Sequence, residues 1–215
     1  ILQSLKKYDL TIRTLPTISD LAKGRVTVSD LKKVNIDDLL RRDAREPIDE
    51  LLNKDIEQKN ILVTGAGGSI GSEICKQIIK LNPKLLILYE ISEIALYSIE
   101  RQLKEINTDI RILAVIGNIT RRSHLDKLIK KYNINTIYHT AAYKHVPMVE
   151  KNTIAAISCN IFGTYACIES AINGNVESFV FISSDKAVRP TSFMGASKRF
   201  AEILLQTMAK NNFKL

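Results

Sequence analysis

The chain has 215 residues, of which 45% are hydrophobic and 25% are charged, a composition that excludes fibrous, low-complexity and wholly disordered proteins. Its 31 basic and 23 acidic side chains give a net charge of +8, for which a solvated surface is the simplest explanation and a phosphorylated small molecule, rather than nucleic acid, the favoured partner. No apolar run approaches the roughly 18 residues of a membrane span. The three scattered cysteines predict buried, reduced thiols and no metal site.

Residues 1–59 are predicted to form a connector or the tail of an upstream domain. Three clusters in this segment place a capping side chain before a leucine and indicate short helix starts; they are 18–21, 28–31 and 36–39. Pro47 precedes a further predicted helix over 48–52, because proline is favoured in a first helical turn. The sequence opens with Ile1 rather than Met, which predicts that it is part of a longer protein.

From residue 60 onward, short apolar runs alternate with amphipathic helices, a pattern typical of βαβ units. The predicted strands are Ile61–Thr64, Leu85–Tyr89, Ile110–Ile116, Thr136–Thr140 and Phe179–Ser183. The predicted buried helix faces are Ile70, Ile74, Ile78 and Leu81; Ala95, Ile99, Leu103 and Ile106; and Leu125, Leu128, Ile129 and Tyr132. We therefore expect an α/β fold with a doubly wound parallel sheet of the Rossmann type over residues 60–215.

The C-terminal part predicts one more helix and the beginning of another strand. The helix is expected from about Phe193 to Ala209, and the strand at 213–215. A doubly wound sheet would continue beyond this point. The predicted domain is therefore incomplete at its C-terminus.

A glycine-rich run follows the first predicted strand and opens the next helix, which is the context of a dinucleotide-binding turn. Gly65 would permit the tight turn, Gly68 would let the backbone approach a pyrophosphate, and Gly71 would let the helix pack on the strand. The free N–H groups at the helix N-terminus would bind the phosphates.

Glu90 ends the second strand, at the spacing from the last glycine expected for the acid that binds the adenosine ribose. A carboxylate there would repel a 2′-phosphate, so NAD is favoured over NADP. Asn118 and Ile119 follow the third strand and either meet the adenine or form a capped turn.

Small residues follow the fourth strand, where the nicotinamide end of a dinucleotide would lie. Ala141 and Ala142 would allow its close approach. His139 and His145 are interpreted as structural on their own, since a lone histidine is more often a hydrogen-bonded structural residue than a catalyst. Asn160 is interpreted as a buried polar anchor.

These motifs together resemble the extended short-chain dehydrogenase/reductases and, more narrowly, the membrane-anchored nucleotide-sugar 4,6-dehydratases of bacterial polysaccharide synthesis. The resemblance rests on four segments and covers about residues 10–215. They are TGAGGSIGSE from Thr64, AAYKHVP from Ala141, SSDKA from Ser183 and PTSFMGASK from Pro190. In the wider superfamily a tyrosine stands four residues before the lysine, where this chain has Met194 before Lys198.

The resemblance implies NAD-dependent dehydration of a UDP-N-acetylhexosamine, with UDP-N-acetylglucosamine the expected substrate, to a 4-keto-6-deoxy sugar nucleotide. It implies Asp185 as acid, Lys186 as base and Ser184 as the residue that orients the substrate. Lys198 would hold the nicotinamide ribose, and Met194 would form an apolar wall or simply pack in its helix. A nucleotide-sugar epimerase and a non-catalytic NAD-binding module are the alternatives.

The expected ligand contacts fall into two groups. The NAD-binding set is Thr64, Gly65, Gly68, Ser69, Ile70, Gly71, Glu90, Asn118, Ile119, Ala141, Ala142 and Lys198. The substrate-binding set is Lys144, His145 and Asn160. The resemblance also implies a homo-oligomer and a parent protein anchored at the cytoplasmic face of the bacterial inner membrane by segments absent here. The lobe that grips the UDP-sugar in such enzymes would likewise lie beyond this chain.

Overall fold

The computed structural model of the protein describes residues 49–106 and 109–212. All of them belong to the second of two units into which the chain divides, residues 48–215. The three capped clusters predicted before residue 40 and the strand predicted at 213–215 lie outside the described residues. The domain boundary at residue 60 stays a prediction.

The described elements confirm the predicted alternation of strands and helices, and each predicted strand end is within two residues of the observed one. The chain order is α1 (Asp49–Ile56), β1 (Asn60–Thr64), α2 (Ser69–Ile78), β2 (Leu85–Glu90), α3 (Glu93–Ile106), β3 (Arg111–Ile116), α4 (Arg122–Tyr132), β4 (Thr136–His139), α5 (Val146–Lys151), α6 (Thr153–Ala156), α7 (Thr164–Asn173), β5 (Ser178–Phe181) and α8 (Phe193–Asn212). Short 3₁₀ turns cover Ile79–Leu81 and Asp185–Ala187, and a π-helix covers Ile157–Gly163.

The five strands form one parallel sheet in the order β3-β2-β1-β4-β5. In this register Val63 of β1 lies between Leu88 of β2 and Tyr138 of β4. The chain runs outward from β1 to β3 and then returns to the other side of β1 as β4. Such a reversal opens a crevice at the carboxyl ends of the two strands, where ligands bind in doubly wound folds. The predicted fold class is confirmed.

Two hydrophobic cores cover the two faces of the sheet. Val63 points into the core on the side of α2 and α3, and its neighbour Leu62 points into the core on the side of α4 and α7. The first core also contains Ile56 of α1, which is 2% exposed, so packing against the sheet begins before residue 60.

The predicted helix faces were wrong at two positions. Ile70 and Ile106 are each 47% exposed, although both continue the apolar stripe of their helix. Ile70 lies in the first turn of α2 and Ile106 is the last residue of α3. The periodicity is right, but each residue lies at an end of its helix, where neither core covers it.

Residues Thr153–Asn173 form a continuous helical segment through α6, the π-helix and α7. It is the single helix of the described residues that is long and apolar enough to cross a membrane, and half of its most apolar window is buried inside the protein. The sequence pattern predicts no such segment, because no unbroken apolar run of that length occurs.

His139 of β4 is fully buried and connects this strand to β1 and to helix α7. Its Nδ1 lies 2.7 Å from Thr64 Oγ1 and its Nε2 lies 3.0 Å from Thr164 Oγ1. Burial, reinforced by the nearby charge of Lys198, lowers the pKa of His139 to about 3. The ring is therefore neutral at physiological pH and has a structural role, as the sequence predicts.

Substituting Gly71 should separate α2 from the end of β1. A Cβ at this position would lie 2.1 Å from the carbonyl oxygen of Gly65 and 2.7 Å from Thr140 Oγ1. We expect Gly71→Ala to lower the free energy of unfolding by about 1–3 kcal/mol, measured by urea denaturation. Gly68→Ala is the control, because its Cβ would meet only the Gly65 oxygen, at 3.2 Å. Equal losses in the two variants would contradict this account.

Acid should destabilise the protein through His139. The pKa of the buried ring, about 3, lies below the 6.5 of an ordinary histidine, so the unfolded chain binds a proton that the folded chain excludes. The free energy of unfolding should therefore fall as the pH is lowered from about 6.5 toward 4. His139→Gln should flatten this slope, while His145→Gln, which removes an exposed ring, should leave it unchanged. An unaltered slope in His139→Gln would refute the assignment.

Candidate functional site

A cleft of about 420 Å³ opens where β1 and β4 end. Its walls come from the glycine turn after β1, the ends of β2 and β3, the segment after β4 and the π-helix. Ten residues of the predicted NAD-binding set line it: Gly65, Gly68, Ser69, Ile70, Gly71, Glu90, Asn118, Ile119, Ala141 and Ala142. The lining does not include the other two, Thr64 and Lys198, which are buried at the strand end and in α8.

The glycine turn presents backbone to this cleft. Gly65 has a φ of +67°, which side-chain-bearing residues rarely adopt. Its carbonyl accepts a hydrogen bond from the N–H of Gly68 at 3.0 Å, which closes the turn. A Cβ on Gly68 would meet only that carbonyl, so the side of Gly68 toward the cleft is open. The turn is therefore shaped to bring the N-terminus of α2 against a phosphate group.

Glu90 is oriented by backbone hydrogen bonds and is 9% exposed. Its Oε2 accepts from Gly67 N–H at 3.0 Å, and its Oε1 accepts from the N–H groups of Ile91 and Ser92 at 2.9 and 3.0 Å. These bonds hold the carboxylate at the cleft wall between the glycine turn and β2. A carboxylate has about four acceptor positions, so it retains capacity for a ribose hydroxyl.

The end of β3 forms the capped turn considered for Asn118, and its contact with the adenine stays a prediction. Its Oδ1 accepts from the N–H of Thr120 at 2.9 Å, which is a capped turn. Its carbonyl accepts from the hydroxyl of Tyr89 at 3.0 Å, and the residue still lines the cleft beside Ile119. The side chain is used by the turn, so any contact with a ligand here is through its remaining surface.

Lys144 bridges the two sides of the cleft. Its Nζ donates to Ser69 Oγ at 2.6 Å, which places a positive charge beside the first turn of α2. It also borders a second cavity of about 290 Å³, whose other walls include His145, Met148 and Asn152. Of the predicted substrate-binding set, Lys144 thus borders both cavities, and His145 borders the second one.

Asn160 is buried rather than directed at either cavity. Its Oδ1 accepts from Tyr143 N–H at 2.8 Å, and its Nδ2 donates to Tyr143 O and to Ser197 Oγ, both at 3.0 Å. With 1% of its surface exposed and its amide engaged, it is the buried anchor that the residue pattern indicates. The expectation that it contacts substrate does not agree with this geometry.

Ser184, Asp185 and Lys186 follow β5 and form an exposed turn at the same edge of the sheet as the cleft. Asp185 Oδ1 accepts from Ser184 Oγ at 3.1 Å, from Lys186 N–H at 3.0 Å and from Lys186 Nζ at 3.4 Å. These hydrogen bonds lower the pKa of Asp185, and the bond from Ser184 has the largest effect. The acid and base predicted from the sequence are therefore adjacent, and Asp185 is an anion in this arrangement.

Helix α8 holds Met194 and Lys198 on its buried side. Met194 is 3% exposed and belongs to a small core with Val149 and Ala156, so it packs as an apolar residue. Lys198 is 5% exposed, its Nζ donates to Ile182 O at 2.9 Å, and it lies 4.6 Å from the Phe181 ring centre. Burial lowers the pKa of Lys198 to about 8, and the charge of Glu202 acts in the opposite direction.

Three residues around α8 were not found from the sequence. Glu150 of α5 accepts from Phe193 N–H at 2.7 Å and so caps α8 from another helix. Ser183 donates to Glu202 Oε1 at 2.5 Å, which ties the end of β5 to α8. No spacing rule relates these partners, because they meet only when the strands and helices have packed.

Several known proteins are similar to this chain in sequence. The family model described as "Polysaccharide biosynthesis protein" matches residues 61–214. A capsular polysaccharide biosynthesis protein, CapD of Staphylococcus aureus, is 43% identical over 201 residues, which are 93% of this chain and 34% of the relative. An uncharacterized membrane protein of Methanocaldococcus jannaschii is 41% identical over 74% of this chain and 45% of its own length. The chain thus spans between a third and a half of these relatives.

Two solved structures share the fold at lower identity. A UDP-glucose 4-epimerase from Stenotrophomonas maltophila, with bound NAD and a UDP-sugar derivative, matches with a TM-score of 0.67 at 23% identity, over 73% of this chain and 50% of that one. DesIV, a dTDP-glucose 4,6-dehydratase from Streptomyces venezuelae with NAD bound, matches with a TM-score of 0.62 at 20% identity, over 70% and 52%. Because the family model matches residues 61–214, more than half of the chain, this chain belongs to the polysaccharide biosynthesis protein family.

Proposed function

We propose that this chain is the NAD-binding part of a nucleotide-sugar 4,6-dehydratase that acts on a UDP-N-acetylhexosamine, with UDP-N-acetylglucosamine as the expected sugar. The observation that carries the proposal is the placement of the glycine turn, Glu90 and the Ser184–Lys186 turn along one edge of the sheet. The names of the relatives support polysaccharide synthesis as the setting. One relative is described as a membrane protein, which supports a membrane-anchored parent.

The cleft fits NAD by its own chemistry. The open backbone at Gly68 and the N-terminus of α2 would bind the pyrophosphate, and Glu90 would accept hydrogen bonds from the adenosine ribose. Ala141 and Ala142 leave room beside the glycine turn for the nicotinamide end. Lys198 would need to exchange its bond to Ile182 O for the nicotinamide ribose. When bound, NAD would supply reversible storage of a hydride, which leaves sugar carbon 4 and returns to carbon 6 after the hydroxyl has left as water.

The Ser184–Lys186 turn would move the protons. Once carbon 4 is a ketone, the proton on carbon 5 is acidic, and Lys186 is proposed to remove it as the base. Asp185 is proposed to protonate the hydroxyl that leaves carbon 6 as water. Because Ser184 and Lys186 stabilise its carboxylate, Asp185 can act as an acid only after substrate has displaced those hydrogen bonds. Ser184 would then be free to orient the substrate oxygen.

Lys144 and His145 are proposed to contact the sugar nucleotide, since Lys144 borders both cavities and His145 borders the second one. Lys144 supplies a positive charge next to the phosphate-binding turn, which suits a diphosphate ligand. Met194 is proposed to act as an apolar wall behind the site rather than as a proton carrier, because a thioether has no proton to exchange. The proton of the carbon-4 hydroxyl would then leave through Asp185, by way of Ser184 or a water.

Glu90 should make the chain prefer NAD+ to NADP+. A 2′-phosphate would lie against a carboxylate that three backbone N–H groups hold in place, and the two negative charges would repel. Calorimetric titration of both nucleotides should show tighter binding of NAD+, and Glu90→Gln should narrow the difference. Glu93→Gln, at an exposed position of α3, is the matched control. Equal affinities in the unaltered chain would remove Glu90 from the ribose site.

Asp185→Asn and Lys186→Met should separate chemistry from cofactor binding. Each is expected to reduce turnover by roughly 10²–10⁴-fold, the usual contribution of a positioned proton-transfer group. NAD affinity should stay near that of the unaltered protein, because neither side chain lines the cleft. Turnover is measured by mass spectrometry of UDP-N-acetylglucosamine incubated with the full-length protein, as the loss of one water.

Lys104→Met, on the exposed face of α3, is the control for the loss of a lysine. Exchange of the carbon-5 proton with deuterated solvent tests the base directly. Normal exchange in the Lys186→Met protein would show that another group removes this proton. If the unaltered protein isomerised the sugar without removing water from it, the epimerase alternative would be favoured.

A further inference from the structure

Two side chains of α8, one helical turn apart, hold two consecutive residues at the end of β5. Lys198 Nζ donates to the carbonyl oxygen of Ile182 at 2.9 Å. Glu202 Oε1 accepts from the hydroxyl of Ser183 at 2.5 Å. The second pair ties a strand end to a helix through a partly buried, charge-assisted hydrogen bond, which is stronger than a neutral one.

The Glu202 carboxylate has a second hydrogen-bond partner, which helps to orient it toward Ser183. Its other oxygen, Oε2, accepts from Arg199 at 2.9 Å, and its side chain is 23% exposed. The residue that follows Ser183 begins the turn of Ser184, Asp185 and Lys186. That turn is exposed, and its side chains form hydrogen bonds within the turn itself. Its place on the molecule therefore depends on what holds its two ends.

One end of the turn packs directly against α8. A Cβ on Gly195 would lie 2.2 Å from the carbonyl oxygen of Lys186, so the helix backbone touches the turn there. The other end is Ser183, which contacts α8 through Glu202. We propose that Glu202 is a positioning residue: through Ser183 it fixes the Ser184–Lys186 turn relative to Lys198.

The charge of Glu202 also faces Lys198. The titratable groups around Lys198 are Cys159 from the π-helix, Glu202 from its own helix, and His139 from β4, which is neutral. Glu202 favours the charged ammonium group, against its burial, whereas Cys159, whose pKa burial raises, is a neutral thiol. Removing the negative charge of Glu202 should therefore lower the pKa of Lys198 further. This shift reports the charge of Glu202 beside Lys198, separately from its hydrogen bond to Ser183.

Three variants separate the tether from the charge. Ser183→Ala removes the tether and keeps the charge. Glu202→Gln removes the charge and leaves a side-chain oxygen that can still accept a hydrogen bond from Ser183. Glu202→Ala removes both. Glu105→Ala is the matched control, because Glu105 is an exposed glutamate with an arginine partner on α3, away from the site.

The kinetic test rests on the proposed function and uses the full-length protein. Ser183→Ala and Glu202→Ala should lower kcat by about 10- to 100-fold, as expected for a misplaced catalytic group, with NAD affinity unchanged. Glu202→Gln should recover most of the rate lost in Glu202→Ala. Unaltered kcat in Ser183→Ala would overturn the proposal, and so would an equal loss in Glu105→Ala.

A spectroscopic test needs no activity, so failure of the dehydratase assignment leaves it intact. In the 215-residue chain labelled with ¹⁵N and with ¹³C-lysine, the amide resonances of residues 184–187 should move in Ser183→Ala and stay in place in Glu105→Ala. The titration of Lys198 should move to lower pH in Glu202→Gln and remain unchanged in Ser183→Ala. Unmoved amide resonances in Ser183→Ala, or an unmoved Lys198 titration in Glu202→Gln, would overturn the role of Glu202.

Discussion

The close approach of α2 to the ends of β1 and β4 is the constraint on which the cleft depends. Gly71 lies against the Gly65 carbonyl, with no space for a side chain between them. Thr140 completes this contact from β4, since its Oγ1 donates to the carbonyl oxygens of Thr64 and Gly65 at 2.7 and 3.1 Å. One hydroxyl thus holds the glycine turn to the neighbouring strand. The helix N-terminus is thereby aimed into the crevice between the two strands.

The position of helix α8 is fixed by hydrogen bonds from polar groups as well as by apolar packing. Asn160 connects Tyr143 to Ser197, Glu150 caps the first turn of α8, and Glu202 ties the helix to Ser183. Directional bonds of this kind specify one geometry, whereas apolar contacts tolerate small shifts. Asn160 sits in a π-helix, a rare element often found at functional sites. The π-helix is thus built into the connection between the cleft and α8.

The two halves of the site differ in how far they are preformed. Glu90 and the glycine turn are buried or held by several backbone hydrogen bonds, so a dinucleotide would meet groups already in place. The side chains of Asp185 and Lys186 are 86% and 53% exposed, and no group among the described residues covers them. Proton transfer is efficient when water is excluded and the groups are fixed. The groups expected to bind the dinucleotide are therefore largely in place, while the proposed chemistry also depends on how the exposed turn is held.

The sequence by itself determined the positions of the strands along the chain and the cofactor-binding half of the site. Alternating runs located β1 to β5, and the residues that follow β1 to β4 located ten cleft residues, because these signals are local along the chain. Only the tertiary structure decided that Ile70 belongs to the cleft rather than to a buried helix face, that Asn160 is an anchor rather than a substrate contact, and that Ser183 meets Glu202. Such contacts join residues from separate elements, and their geometry follows from how the helices pack on the sheet. This geometry cannot be predicted from the periodicity or spacing of residues along one element.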